Sequence, residues 1–295
     1  MLTRDQTVQY ERHGYTLFPD FLSPDEVAAL LSDIESICAG NTLAKHDKSR
    51  LEMEPSQAPD GTRVRRLYEP CTYYPRFRAF SESERLLQCV EQLVGSNLLF
   101  HYSKINMKPP AIGSVVEWHQ DVAYYPLTNH DSVAVLFYLD DATSNNGCLQ
   151  VIRGCHRAPL MNHTRDGFFQ GRITDPIDTS RAVYVEGKAG SAIFMHCVTP
   201  HASTTNTSGL PRRTLILSYR AADAFPIYTG PITLDAEAHV RLVRGQQLNV
   251  ARLSVTQFPI PKQQRKTASL YELQEMSRLE AQSPKRDEAG IWPSE

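Results

Sequence analysis

From Leu98 onward the sequence changes to a period of two and breaks into short strand-like runs as far as Arg220, and this constrains the fold more than any other feature. Successive side chains of a strand point to opposite faces of its sheet, so this period marks half-buried strands. The pattern predicts strands over residues 98–107, 115–121, 132–140, 148–152, 182–186, 191–195 and 213–220. Turn-forming runs separate them: Asn145-Asn146-Gly147, Arg153-Gly154, Gly187-Lys188-Ala189-Gly190 and Ser208-Gly209-Leu210-Pro211. Many short strands with such punctuation imply a β-sandwich or jelly roll.

Helical signals precede that region. Ser23-Pro24-Asp25-Glu26 combines an N-cap, a proline suited to the first helical turn and a capping-box glutamate. Val27, Leu30, Leu31, Ile34 and Ile37 then share one face. A shorter helix over residues 3–13 ends at Gly14, and a third opens at Ser81-Glu82-Ser83-Glu84 and stops at Gly95. The charged, proline-containing stretch 42–61 reads as a loop, and residues 63–67 as a strand carrying Arg63, Arg65 and Arg66. Near the C-terminus, residues 271–282 have helical spacing. The expected class is α+β, mainly β: a double-stranded β-helix (cupin-like jelly roll) with helices packed on one face. A single domain is expected over residues 1–282, with a helical N-terminal region over residues 1–97, a jelly-roll core 98–223, a C-terminal extension 224–282, and a flexible tail 283–295.

Composition narrows the function. A formal net charge of −2 gives no reason to expect nucleic acid or an acidic membrane surface as partner. The one basic cluster, Lys262 to Lys266, includes two glutamines and reads as a solvated face. The N-terminus lacks the apolar run of a signal peptide, and no stretch reaches the roughly 18 apolar residues of a membrane span. Six dispersed cysteines form no Cys-x-x-Cys pair, so a reducing cytoplasmic location is expected, with the thiols buried as small hydrophobes. The oligomeric state is not legible.

Within the strand series lies Glu117-Trp118-His119-Gln120-Asp121. Residues two apart on a strand face the same way, so His119 and Asp121 can offer a nitrogen and an oxygen to one ion. A third ligand must come from elsewhere. His196 and His201 both follow the apolar run Ala192-Ile193-Phe194-Met195, and alternation alone does not choose between them. The segment after His201 favours it: Ser203, Asn206, then Arg212-Arg213 opening an apolar strand. Two histidines and one carboxylate with open positions form the facial triad of non-haem Fe(II) oxygenases. A cation on the following strand has a purpose if a dicarboxylate sits on the iron, because arginine offers a permanently charged fork.

Taken together, Trp118-His119-Gln120-Asp121 with Tyr124-Tyr125-Pro126, Asn145-Asn146-Gly147-Cys148-Leu149, Gly154-Cys155-His156 and His201-Ala202-Ser203 resemble the phytanoyl-CoA dioxygenase family. The likeness runs from about Tyr10 to Asp223 and includes Gly14-Tyr15 and Phe21-Leu22-Ser23 near its start. It implies a double-stranded β-helix that binds Fe(II) and uses 2-oxoglutarate and O₂. Carried over residue by residue, it implies His119, Asp121 and His201 as iron ligands, with His196 a non-ligand histidine. It implies Arg212 as partner of the far carboxylate of 2-oxoglutarate, with Arg213 as the fallback, and Ser203 as a further contact. Asn106 matches an asparagine contact in some members, and Phe137 falls where others place a tryptophan beside 2-oxoglutarate.

The implied reaction couples oxidative decarboxylation of 2-oxoglutarate, giving succinate and CO₂, to oxidation of an unactivated C–H bond. Asp121 as carboxylate ligand leaves no vacant position for a halide, which argues against halogenation. Gln120, Tyr124 and Tyr125 neighbour the expected metal and are candidate substrate contacts. The expected substrate is a small polar metabolite or natural-product intermediate, since no extended basic surface awaits a CoA phosphate. The alternatives are an acyl-CoA 2-hydroxylase of the phytanoyl-CoA type and, in another class, a non-redox metal-binding module of cupin type.

Overall fold

The computed structural model describes residues 1–111, 115–228, 237–262 and 269–282. In chain order the strands are β1 (Tyr15–Phe18), β2 (Leu51–Met53), β3 (Val64–Tyr68), β4 (Leu98–Lys108), β5 (Val116–His119), β6 (Ser132–Tyr138), β7 (Leu149–Ile152), β8 (Thr164–Arg165), β9 (Phe168–Phe169), β10 (Ala182–Val185), β11 (Ala192–His196), β12 (His201–Ser203), β13 (Arg212–Ala221) and β14 (Arg241–Arg244). The α-helices are α1 (Arg4–His13), α2 (Pro24–Cys38), α3 (Pro70–Tyr73), α4 (Pro75–Ser81), α5 (Glu84–Val94) and α6 (Leu270–Gln282).

Two antiparallel sheets form the jelly roll. The larger runs β1-β11-β6-β13-β4-β3-β2, with β14 also on β4, and the smaller runs β10-β7-β12-β5. Strand β6 shows how alternation divides the interior. Ala134, Leu136 and Tyr138 pack with Leu149, Val151 and Val185 of the smaller sheet. Val133, Val135 and Phe137 point the other way, into the core formed with the helices. The helices of the N-terminal half therefore cover one outer face of the larger sheet. Helix α2 contributes Val27, Leu30 and Ile34, one buried residue per turn, each contributing roughly 1.5–3 kcal/mol by burial.

Sequence signals account for the helix ends. Thr3 and Ser23 both make capping boxes, with Gln6 and Glu26. Gly14 ends α1 at φ 81, and a Cβ there would collide with Thr199 and His156. Only glycine serves at so tight a left-handed position. The expected helix start at Ser81 is corrected: Ser81 ends α4, and Ser83 is the residue before α5. Helices α3 and α4 were not read from the sequence, although each has proline at its first turn. The loop expected over residues 42–61 contains β2, and the Asp166-Gly167 turn joins β8 to β9. The expected tail 283–295 and most of the basic cluster, residues 263–266, lie outside the described residues.

Candidate active site

His119 ends β5 and His201 begins β12, and the two are direct partners in the antiparallel register. Their ring centroids lie 4.0 Å apart. Each ring is held from behind: Nδ1 of His119 meets the Glu117 carbonyl at 2.8 Å, and Nδ1 of His201 meets the Thr199 carbonyl at 3.0 Å. With Nδ1 donating to a carbonyl, each Nε2 presents its lone pair forward. Burial and the neighbouring His201 push His119 well below the ordinary histidine range. Burial likewise lowers His201, against the opposing pull of Asp121 and the Thr199 carbonyl. Both rings are thus neutral, the form that binds metal.

Asp121 does not lie on the strand, contrary to the expected span 115–121. The chain turns after Gln120 into a short 3-10 segment, Asp121–Ala123. That turn brings Asp121 Oδ1 to 3.7 Å from Nε2 of both histidines. The donor atoms of His119, Asp121 and His201 all lie within 4.8 Å of one another, and all three residues are buried. Metal–nitrogen bonds of about 2.0–2.1 Å put neighbouring donors roughly 3 Å apart, so a small closure around an ion suffices. Two imidazoles and a carboxylate on one side fit an iron that keeps open positions.

His196 is excluded from this cluster by geometry. Its Nδ1 accepts from the Val198 amide at 3.1 Å, and its ring lies 5.3 Å from that of His156.

Beside the triad, between the sheets, is a cavity of about 540 Å³, open space at its mouth included. Polar groups on its wall are Lys104, Asn106, Ser203, Arg212 and Thr214; the remainder is largely aliphatic, including Leu136, Leu149 and Ile216. Arg212 is buried, with Nη1 donating to Thr214 Oγ1 at 2.8 Å and Nη2 to the Gly147 carbonyl at 2.5 Å. Among the described residues its Nε has no hydrogen-bond partner. Arg213 faces away, its fork closed on Asp140 at 2.7 and 2.9 Å. Asn106 Oδ1 accepts from Arg66 Nε at 3.0 Å, and among the described residues no hydrogen bond from its NH₂ group is seen.

Four residues expected as contacts do not line this cavity. Phe137 does not line the cavity: it faces the helices, packed on Phe21 and Phe80, because its neighbours Leu136 and Tyr138 take the inner face of β6. Gln120 is fully buried and spent on bracing, donating to the Val198 carbonyl at 2.7 Å and accepting from the Met161 amide at 2.8 Å. Tyr124 forms a wall behind His119, with ring centroids 5.6 Å apart and its hydroxyl donating to the Gly171 carbonyl. Tyr125 packs edge-on against His101 at 4.7 Å and Tyr102 at 5.7 Å.

Lys104, Thr214 and Gln274 escaped the sequence reading. Lys104 and Asn106 share the inner face of β4, and polar residues recurring every second position in a buried strand were the available signal. Burial pushes the Lys104 ammonium down to about 8, with Asp121 opposing that shift. Gln274 comes from α6. Its Oε1 accepts from the Glu117 amide at 2.9 Å and its Nε2 donates to the Gly171 carbonyl at 2.6 Å. Leu270 of the same helix reaches the cavity wall, and no local pattern announces either contact.

Comparison with known proteins agrees with this geometry. Residues 10–214 match the family model described as phytanoyl-CoA dioxygenase. A probable alpha-ketoglutarate-dependent hypophosphite dioxygenase of Stutzerimonas stutzeri is 31% identical over 230 residues, covering 76% of this chain and 80% of the relative. A methylphosphonate hydroxylase of Gimesia maris is 30% identical, covering 75% and 81%. Among solved structures, EctD from S. alaskensis with 2-oxoglutarate and 5-hydroxyectoine superposes with a TM-score of 0.63 at 26% identity, covering 75% of this chain and 77% of that one. Among the described residues no helix is long and apolar enough to cross a membrane. The double-stranded β-helix, the convergent His-Asp-His cluster and these matches lead to one conclusion: the chain belongs to the phytanoyl-CoA dioxygenase family and is an Fe(II)- and 2-oxoglutarate-dependent oxygenase.

Proposed function

We propose that His119, Asp121 and His201 hold the ferrous ion and that Arg212 grips the far carboxylate of 2-oxoglutarate, with Ser203, Thr214 and Asn106 lining the same subsite. Arg212 carries this reading. It is a buried guanidinium on the cavity wall, and no carboxylate pairs with it among the described residues. A buried charge without a counter-ion costs several kcal/mol, so the site suits an anionic ligand. Arg213 already has Asp140 and is set aside.

The iron supplies O₂ activation coupled to decarboxylation of the keto acid, and the chain supplies geometry and a dry wall. The Glu117 and Thr199 carbonyls fix both imidazole tautomers. Val116, Leu136, Leu149, Met195 and Ile216 supply the apolar part of the wall that the metal ligands and the arginine share.

The substrate we propose is a small polar metabolite or natural-product intermediate, oxidised at a C–H bond. The modest cavity supports it, as do the small molecules in the relatives' names. We read residues 1–282 as one domain, supported by the packing of α6 on β5. The six free cysteines suit a reducing cytoplasm. The test is anaerobic titration of the Fe(II) protein with 2-oxoglutarate, followed in its visible charge-transfer band, then a succinate-release screen across candidate metabolites. The expected results are a saturable band, succinate release with the right metabolite, and loss of release in His119→Ala. Absence of the band in the wild type overturns the reading.

A further inference from the structure

The walls of the cavity hold one more cation than iron and co-substrate require. On the loaded site proposed above, a ferrous dication meets the single charge of Asp121, and the co-substrate dianion meets Arg212. Those four charges cancel. Arg213 is matched by Asp140 at 2.7 Å, and beyond the wall Arg65 and Arg66 share Glu52 at 2.5 and 3.8 Å. Lys104 remains. It lines the cavity with His119 and Asp121; Asp121 and, more weakly, Glu69 act on it through space, but among the described residues no carboxylate makes an ion pair with it.

Its placement separates it from Arg212. In the β4–β13 register Lys104 pairs with Ile216, Asn106 with Thr214 and Lys108 with Arg212. The two cations therefore stand four residues apart along the strands, roughly 13 Å at strand spacing, at opposite ends of the cavity. The Lys104 ammonium lies 5.3 Å from the ring centroid of Tyr102, which packs edge-on with Tyr125 at 5.7 Å. One end thus holds a guanidinium among polar groups, and the other an ammonium against aromatic rings.

We infer that Lys104 binds the anionic head of the primary substrate, so that the enzyme selects a small carboxylate, phosphonate or related oxyanion over neutral analogues. This rests on the oxygenase reading above, and it makes Lys104 a specificity-determining residue. The ammonium is a point charge and accepts any compact oxyanion. The reacting C–H bond then lies within a short distance of the anchored head, because lysine and the metal ligands share one cavity.

The test uses the Fe(II) protein under anaerobic conditions, as wild type, Lys104→Gln and Lys104→Arg. The charge-transfer band reports 2-oxoglutarate binding. Calorimetry of the loaded protein then compares propylphosphonate and butyrate with neutral butyramide. The expected result is wild-type preference for the anions by about 10-fold or more, lost in Lys104→Gln and largely restored in Lys104→Arg. The 2-oxoglutarate titration stays within about two-fold throughout. If the band forms but wild type shows no anion preference, the inference fails while the oxygenase reading stands. If Lys104→Gln weakens 2-oxoglutarate and leaves anion preference intact, Lys104 serves the co-substrate and the inference is overturned. If wild type gives no band, the underlying reading has failed instead.

Discussion

His119 and His201 face each other across one antiparallel register pair, and each ring is anchored through Nδ1 to a carbonyl two residues earlier in its own chain segment. The two Nε2 atoms therefore converge before any metal arrives, each 3.7 Å from Asp121 Oδ1. Hydrogen bonds behind the ligands supply preorganisation of this kind at metal sites, where losing one typically costs about 10–100-fold. Losing a ligand costs more. His201→Ala should lower Fe(II) affinity by on the order of 100-fold or more and abolish succinate formation, while the protein stays folded. Iron titration alongside circular dichroism checks both halves, and retention of tight Fe(II) binding would remove His201 from the ligand set.

The neighbouring arginines separate co-substrate binding from stability. Removing one partner of a buried, hydrogen-bonded charge pair costs about 2–5 kcal/mol, so Arg212→Gln should raise the 2-oxoglutarate KM by roughly 30-fold or more. Arg213→Gln should leave that KM unchanged. It strips the half-buried Asp140 of its fork and so should cost about 1–3 kcal/mol of stability. A chemical denaturation curve and a KM for each variant decide the assignment. The reverse pattern would move the subsite to Arg213.

What the sequence disclosed follows the range of the interactions involved. Strands β4, β6, β11 and β13 were legible because burial on one face leaves an alternation and burial on both leaves a continuous apolar run. So were the capping boxes at Thr3 and Ser23, which span three residues. Asp121 was found for a partly mistaken reason: its carboxylate reaches the site through a turn, not through strand alternation. Phe137 shows the limit of position matching, since an aromatic at the right place in the chain faces the helical core when its strand is registered by Leu136 and Tyr138. Strand β12 is too short and polar to carry a period, and Gln274 reaches Glu117 from 157 positions away. Contacts of that separation leave no local trace.

Gln274 also offers a test of how far support for the metal extends. It fixes the Glu117 amide at 2.9 Å, and the carbonyl of that same residue orients His119 at 2.8 Å. Arg278 adds a contact to the Glu117 side chain at 3.5 Å. Gln274→Ala should therefore lower Fe(II) affinity by about 10-fold, the low end of what losing such outer support costs, with little change in 2-oxoglutarate affinity once iron is saturating. Iron titration and the charge-transfer titration measure the two separately. If stability falls but Fe(II) affinity holds, α6 only packs on β5 and does not position its histidine.

His196, the competing third-ligand candidate, should instead govern acid stability. Burial, then the neighbouring His156 and His130, push its pKa down to about 3 from the ordinary 6.5. In that interval the unfolded chain binds a proton that the folded protein refuses, so stability is complete above about pH 6.5 and declines as pH falls toward 3. His163, lowered to about 4, acts in the same direction, so some of the acid sensitivity persists in any single variant. His196→Asn keeps an acceptor for the Val198 amide and removes the titrating ring. It should reduce the loss of stability between pH 6.5 and 4 by on the order of 2 kcal/mol and leave Fe(II) binding intact. Denaturation midpoints across that range, with an iron titration at neutral pH, provide the check. An unchanged acid profile would mean that His196 is protonated in the folded protein, and a loss of iron would return it to the metal site.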